Sequence, residues 1–128
     1  MRSALTILCL SLFTALVIAQ NEQMPQQFRG SWAGRRAQCG RASESSLTVY
    51  ADRVIFYESE GPIRGVKRIG DREVEVEAEL SGEGEVRRET LRFRLSNNGR
   101  TLTVLRTEPP YSGFARIRCG QAAHPPTR

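Results

Sequence analysis

Glu73-Val74-Glu75-Val76-Glu77-Ala78-Glu79-Leu80 is the stretch that decides the fold. Its apolar residues fall on every second position. In an extended chain Val74, Val76, Ala78 and Leu80 therefore share one face, and the four glutamates share the other. On a helix the same apolar residues would scatter around the circumference. The glutamate face reads as solvated, not as a calcium or acid/base site. Arg88, Arg92 and Arg94 follow on the next strand and are placed to meet it as exposed cross-strand pairs, each worth roughly 0.2–1 kcal/mol.

Turn residues bound this strand on both sides, Gly70-Asp71 before it and Ser81-Gly82-Glu83-Gly84 after it. Leu91, Phe93 and Leu95 then alternate with Arg92 and Arg94. Val86 and Leu91 are an odd number of positions apart, so a β-bulge is expected within Arg87–Thr90. Asn98-Gly99 predicts a type I′ turn, which sets Leu95 opposite Leu102 and Phe93 opposite Val104. Thr101–Thr107 is the return strand, and Pro109-Pro110 connects it to a last strand over Tyr111–Cys119. There Tyr111, Gly113, Ala115, Ile117 and Cys119 share one parity, taken as inward. Phe114 falls on the other and is expected to be exposed, a candidate binding contact.

Upstream, Phe28–Trp32 alternates as a first strand. Leu47–Tyr50 and Val54–Tyr57 flank a tight turn at Ala51–Arg53. Gly61-Pro62 is expected to break the chain before a weaker strand over Ile63–Ile69, where Gly65 marks a bulge or a close backbone approach. The count is about eight short strands with no convincing helix. The fold class is all-β: a small antiparallel up-and-down meander closed into a barrel. A sandwich is the alternative. A barrel is favoured because closure removes the two exposed edges of a meander.

Residues 1–19 read as a Sec-type signal peptide. Met1-Arg2 is the positive region, and Ala4–Ile18 is an apolar run shorter than a membrane span. Val17-Ile18-Ala19 ends it with small-residue cleavage geometry. Cys9 lies inside the apolar run after Leu8, which does not fit a lipoprotein. Residues 20–27 read as a flexible arm, 28–119 as the barrel domain and 120–128 as a disordered tail. The expected location is the periplasm or the medium. Export leaves Cys39 and Cys119, an even pair that favours a disulfide between the first and last strands. Loss of Arg2 lowers the formal net charge from +5 to +4. A charge this small, with arginines interleaved among glutamates, does not predict nucleic-acid binding.

Gly30-Ser31-Trp32 on the first strand resembles the Gly-x-Trp pattern of the lipocalins and wider calycins. The resemblance implies a barrel closed at one end by Trp32 beneath an arginine of the last strand, Arg116 or Arg118. A cation–π contact is the physical reason for such a pair. It also implies that Gly30 lets the first strand bend. A short exported barrel with a terminal disulfide further resembles small bacterial periplasmic barrels, including inhibitors of lysozyme and of secreted metalloproteases. Phe56–Ser59 followed by Ser81–Glu85 is similar to small secreted proteobacterial proteins.

Catalytic chemistry finds little support. The one histidine, His124, lies in the expected tail, where no imidazole is held rigidly. The two cysteines are far apart, so no metal site and no cofactor are expected. Gly82-x-Gly84 is a hairpin turn, since no helix follows to make a phosphate loop. Glu58 and Glu60 beside Arg64, Lys67 and Arg68 form a charged loop that is a candidate partner-recognition rim. Most aromatic residues are expected to fill the interior, which argues against a large cavity and leaves room for a shallow apolar site at one mouth. The functional expectation is a monomeric, non-enzymatic binding protein of the cell envelope with a protein partner. The alternatives are an inhibitor of a secreted hydrolase, acting through Gln20–Gln27 or Glu58–Arg68, and a lipocalin-type carrier of an apolar molecule.

Overall fold

A computed structural model describes residues 23–109 and 112–120. The expectations for the signal peptide, for Gln20–Glu22, for Tyr111 and for the tail beyond Gly120 with His124 lie outside the described residues. Eight antiparallel strands close into one barrel in chain order. They are β1 (Gly30–Ala33), β2 (Leu47–Val49), β3 (Arg53–Phe56), β4 (Glu60–Gly70), β5 (Glu73–Gly82), β6 (Glu85–Leu95), β7 (Thr101–Arg106) and β8 (Gly113–Gly120). β1 pairs with β8, so no strand end of the meander is left as a free edge of the ring.

The alternation read in the sequence is realised in β5. Val74, Val76, Ala78 and Leu80 are all buried in the central core. The glutamates lie outside, where Glu73 meets Arg92 and Arg94 and Glu75 meets Arg92. Arg88 stands opposite Glu79 in the register, but the ion pair of Glu79 is with Arg64 of β4. Leu95 stands opposite Leu102 and Phe93 opposite Val104, as the turn chemistry required. The turn itself differs. Only Gly99 has positive φ, at 70°, and Gly99 N–H donates to the Ser96 carbonyl. The loop is therefore a helical-type turn closed by one left-handed glycine, with Asn98 Oδ1 accepting from the Arg100 N–H. The residue count is the same for either turn, which is why the register survives. The hairpin with two positive-φ residues is at Glu83 and Gly84, with φ of 52° and 77°.

Two further expectations are corrected. β5 and β6 pair without interruption from Glu73↔Arg94 to Gly82↔Glu85, so no bulge lies within Arg87–Thr90. The parity conflict is resolved by leaving Val86 outside, 63% exposed. Gly61-Pro62 does not break the chain but lies inside β4. Pro62 faces only the start of β3, at Arg53, and the next residue, Ile63, donates to the Asp52 carbonyl. Gly61 is needed there because a Cβ would come within 1.8 Å of the Glu79 carbonyl oxygen. The bulge expected at Gly65 is present, since Ile63 pairs with Ala78 and Gly65 with Glu77.

The N-terminal segment is not a free arm from Gln23 onward. Met24 is fully buried in the core, and its N–H donates to the Ala51 carbonyl at 2.7 Å. Gln26–Phe28 forms a short 3-10 turn that buries Phe28, so β1 starts later than expected, at Gly30. Gln27 Nε2 donates to the Asp71 carbonyl.

Candidate functional site

Strand order sorts the connections into two ends. The N-terminal segment and the β2–β3, β4–β5 and β6–β7 turns meet at one end, where the Ala51, Asp71 and Gly99 carbonyls all receive hydrogen bonds. Trp32 lies there with Phe28 and Met24, none of them more than 2% exposed. Gly30 beneath it has φ of 130°, a conformation that favours glycine. The indole N–H donates to the Phe28 carbonyl at 3.0 Å. Arg118 of β8 sits 4.2 Å from the Trp32 ring centroid. Its Nη1 donates to the Arg29 carbonyl at 2.9 Å and its Nη2 to the Gln27 carbonyl at 2.6 Å. Of the two candidate arginines, Arg118 covers the tryptophan. Burial lowers its pKa from the ordinary guanidinium value.

Cys39 and Cys119 form the expected disulfide, with Cα atoms 5.5 Å apart. The bond pins the β1–β2 loop to β8. Ser45 strengthens the same loop: its hydroxyl accepts from the Gly34 N–H and donates to Gln38 Oε1. Cys119 stands at a register shift, since Ser31 faces Gly120 while Trp32 faces Arg118.

The opposite end is open. The β1–β2 loop, the β3–β4 and β7–β8 connections and residues of β5 and β6 surround a cavity of about 500 Å³. The expectation of a filled interior with at most a shallow apolar site at one mouth is corrected in extent: the core residues Leu80, Leu91 and Val104 themselves line this cavity. Leu80, Leu91, Val104, Phe56 and Phe114 supply its apolar wall, and Glu58 stands at its edge. Glu89 lies between Arg87 and Arg106, 3.7 Å and 3.9 Å away.

Arg116 is the residue that sequence reasoning misplaced. Alternation along β8 was read with Ala115 and Ile117 inward. The register gives the reverse, because Arg116 faces Leu102 and Phe114 faces Val104, both inward residues of β7. Phe114 is thus 47% exposed, as expected, but from the lumen side of the mouth. Arg116 lies one step deeper and is only 7% exposed. Its guanidinium stands 4.7 Å from the Phe114 ring centroid and 5.8 Å from that of Phe56. Nε donates to the Ser45 carbonyl at 2.7 Å. No carboxylate lies within ion-pair distance among the described residues, and desolvation lowers the Arg116 pKa to about 10.

The charged loop inferred around Glu58, Arg64 and Arg68 does not exist as one patch. Glu58 belongs to the open mouth. Arg64 is on the outer face of β4, bonded to Glu79 at 3.1 Å. Arg68 borders a separate cavity of about 690 Å³ between β4 and the Gln23–Pro25 segment. No family model matches the chain, and no curated protein or solved structure does either.

Proposed function

We propose that the protein is an exported, non-enzymatic binding protein that seats its ligand in the open mouth of the barrel. One observation carries the reading: the two ends differ. One is sealed by Trp32, Phe28 and Met24 under Arg118, and the other opens on a cavity of about 500 Å³. That volume lies in the range of sites for drug-sized molecules, about 300–1,000 Å³. Its lining supports binding, with aromatic and aliphatic side chains around the buried Arg116 and with Glu44, Glu58, Glu89, Arg87 and Arg106 also lining it. The disulfide is compatible with an oxidising compartment, which supports export. The sealed end under Trp32 and Arg118 supports the calycin resemblance.

A protein partner is the second reading, favoured by Tyr57 and Phe114, both about half exposed on the same rim. The inhibitor reading draws less support. An insertable arm would have to come from a segment that the fold uses as a plug from Met24 onward. The test is native mass spectrometry of protein purified from its own export compartment. A bound small molecule displaced by Leu91→Trp, which fills the cavity, is the expected result. A protein that retains its ligand when the mouth is filled refutes the reading.

A further inference from the structure

A buried arginine without a carboxylate is an unusual choice of lining. Taking a cation out of water costs several kcal/mol unless hydrogen bonds and an opposite charge compensate. Arg116 has one hydrogen bond, from Nε to the Ser45 carbonyl. Its two Nη groups make none among the described residues, and they open onto the cavity. The same bond fixes how the fork is presented. With Nε engaged by the loop, Nη1 and Nη2 are left as the parallel end-on pair that matches the two oxygens of a carboxylate. Phe114 and Phe56 flank the guanidinium and hold its plane. The other arginines of the mouth differ, since Arg87 and Arg106 already share Glu89.

We infer that the mouth takes an amphiphile with a carboxylate head, its head on the Arg116 fork and its apolar body along Phe56, Phe114, Leu91 and Val104. The inference rests on the mouth being the ligand seat and adds the chemistry of the ligand. The head enters first, because Arg116 lies deeper in the lumen than Phe114 on the same strand. A bound carboxylate would supply the opposite charge that the fold withholds. Selectivity therefore comes from the head, and the wall tolerates different apolar bodies.

The experiment uses the uncharged fluorophore N-phenyl-1-naphthylamine, which reports occupancy of the apolar wall. Decanoate and 1-decanol are titrated as competitors against wild type, Arg116→Met and Arg116→Lys. Decanoate is expected to displace the fluorophore at a concentration at least about tenfold lower than decanol in wild type, the ratio a single charge-assisted contact of 1.4 kcal/mol gives. Arg116→Met is expected to bring the two to parity by weakening decanoate alone, and Arg116→Lys to retain part of the preference. Fluorophore binding by each variant shows that the mouth is still formed. Equal displacement by the two competitors in wild type, or a preference that survives in Arg116→Met, overturns the carboxylate assignment while leaving the mouth as a seat. Failure of wild type to bind the fluorophore or either competitor overturns the seat as well.

Discussion

Arg116 and Arg118 stand two residues apart on one strand, on the same side of it, and their replacement by methionine is expected to move stability in opposite directions. Methionine keeps the aliphatic stem and removes the guanidinium. At Arg118 the loss includes the contact with Trp32 at 4.2 Å, worth about 1 kcal/mol in a partly desolvated geometry. Two short hydrogen bonds to the Gln27 and Arg29 carbonyls go with it, and a longer one to Gly99 at 3.3 Å. The two short bonds are partly exposed and are counted at about 1 kcal/mol each, the longer one is left out of the sum, and with the ring contact Arg118→Met should cost about 3 kcal/mol in all. At Arg116 the dominant quantity has the other sign. A guanidinium pKa lowered to about 10 by burial corresponds to a penalty of up to about 3 kcal/mol for keeping the charge. The Ser45 bond and the ring contact return about 2 kcal/mol of it, so Arg116→Met should be neutral or stabilising by about 1 kcal/mol. The pH dependence follows from the sign of the shift. The folded state holds this proton less tightly than the unfolded state, so the penalty is fully present below about pH 10 and disappears as pH rises toward the ordinary guanidinium value. The difference between wild type and Arg116→Met should therefore narrow by about 1 kcal/mol between pH 7 and pH 11. Urea unfolding with the disulfide intact measures all of this, followed by Trp32 emission and far-ultraviolet circular dichroism together, whose coincidence tests two-state behaviour. Trp32 is the sole tryptophan, so its emission also reports the seal directly. A loss of about 2 kcal/mol or more in Arg116→Met, or of less than about 1 kcal/mol in Arg118→Met, would refute the division of labour drawn between them.

Gly61→Ala should prevent folding or cost more than about 3 kcal/mol, because the new Cβ meets the Glu79 backbone carbonyl. Gly70→Ala, where nothing lies within 4 Å, should be neutral within about 0.5 kcal/mol by the same urea assay. Reducing Cys39–Cys119 opens a separation of 80 residues and should remove about 4 kcal/mol, seen as a lower urea midpoint in the presence of dithiothreitol. Glu83→Asn relieves a positive φ of 52° on a glutamate in the β5–β6 turn and should raise the thermal midpoint by a few degrees, about 0.5–1 kcal/mol; an unchanged midpoint counts against strain at that turn.

The sequence was legible where one local rule had no competitor. β5 alternates strictly, so Val74 to Leu80 could only face inward together. The β6–β7 register followed from loop length and from two apolar pairs that agreed with it. Trp32 under an arginine followed from a three-residue motif. The site was less legible because β8 is ambiguous by pattern. Phe114 sits on one face, Ala115 and Ile117 on the other, and two arginines look like solvent contacts. Only the pairing with Leu102 and Val104 decides the matter, and that is a long-range fact. Pro62 misled for a related reason. A proline breaks a strand only where its missing N–H is needed, and β3 is too short to need it. Val86 misled because parity arguments assume that every apolar residue is buried, whereas the β5–β6 hairpin runs out past the core and leaves one outside.

The division between the two ends limits how far stability and the proposed binding compete in so small a barrel. The side chains of the seal are held in place largely by backbone groups: carbonyls of Gln27, Arg29 and Gly99 hold Arg118, and those of Ala51 and Asp71 hold the N-terminal segment. Such contacts are insensitive to the side chains of the turns that supply them. At the mouth the reverse holds. Leu91, Val104, Phe56 and Phe114 contribute their side chains, and among the described residues the buried Arg116 guanidinium has two nitrogen groups without a hydrogen bond. Leu91 and Val104 are also core residues, so the mouth is changed at least expense to stability at the half-exposed Phe114. Arg116 is the point where the two regimes meet. It is rooted in the strand that carries the seal, yet it lines the open end, where the proposed carboxylate would meet it.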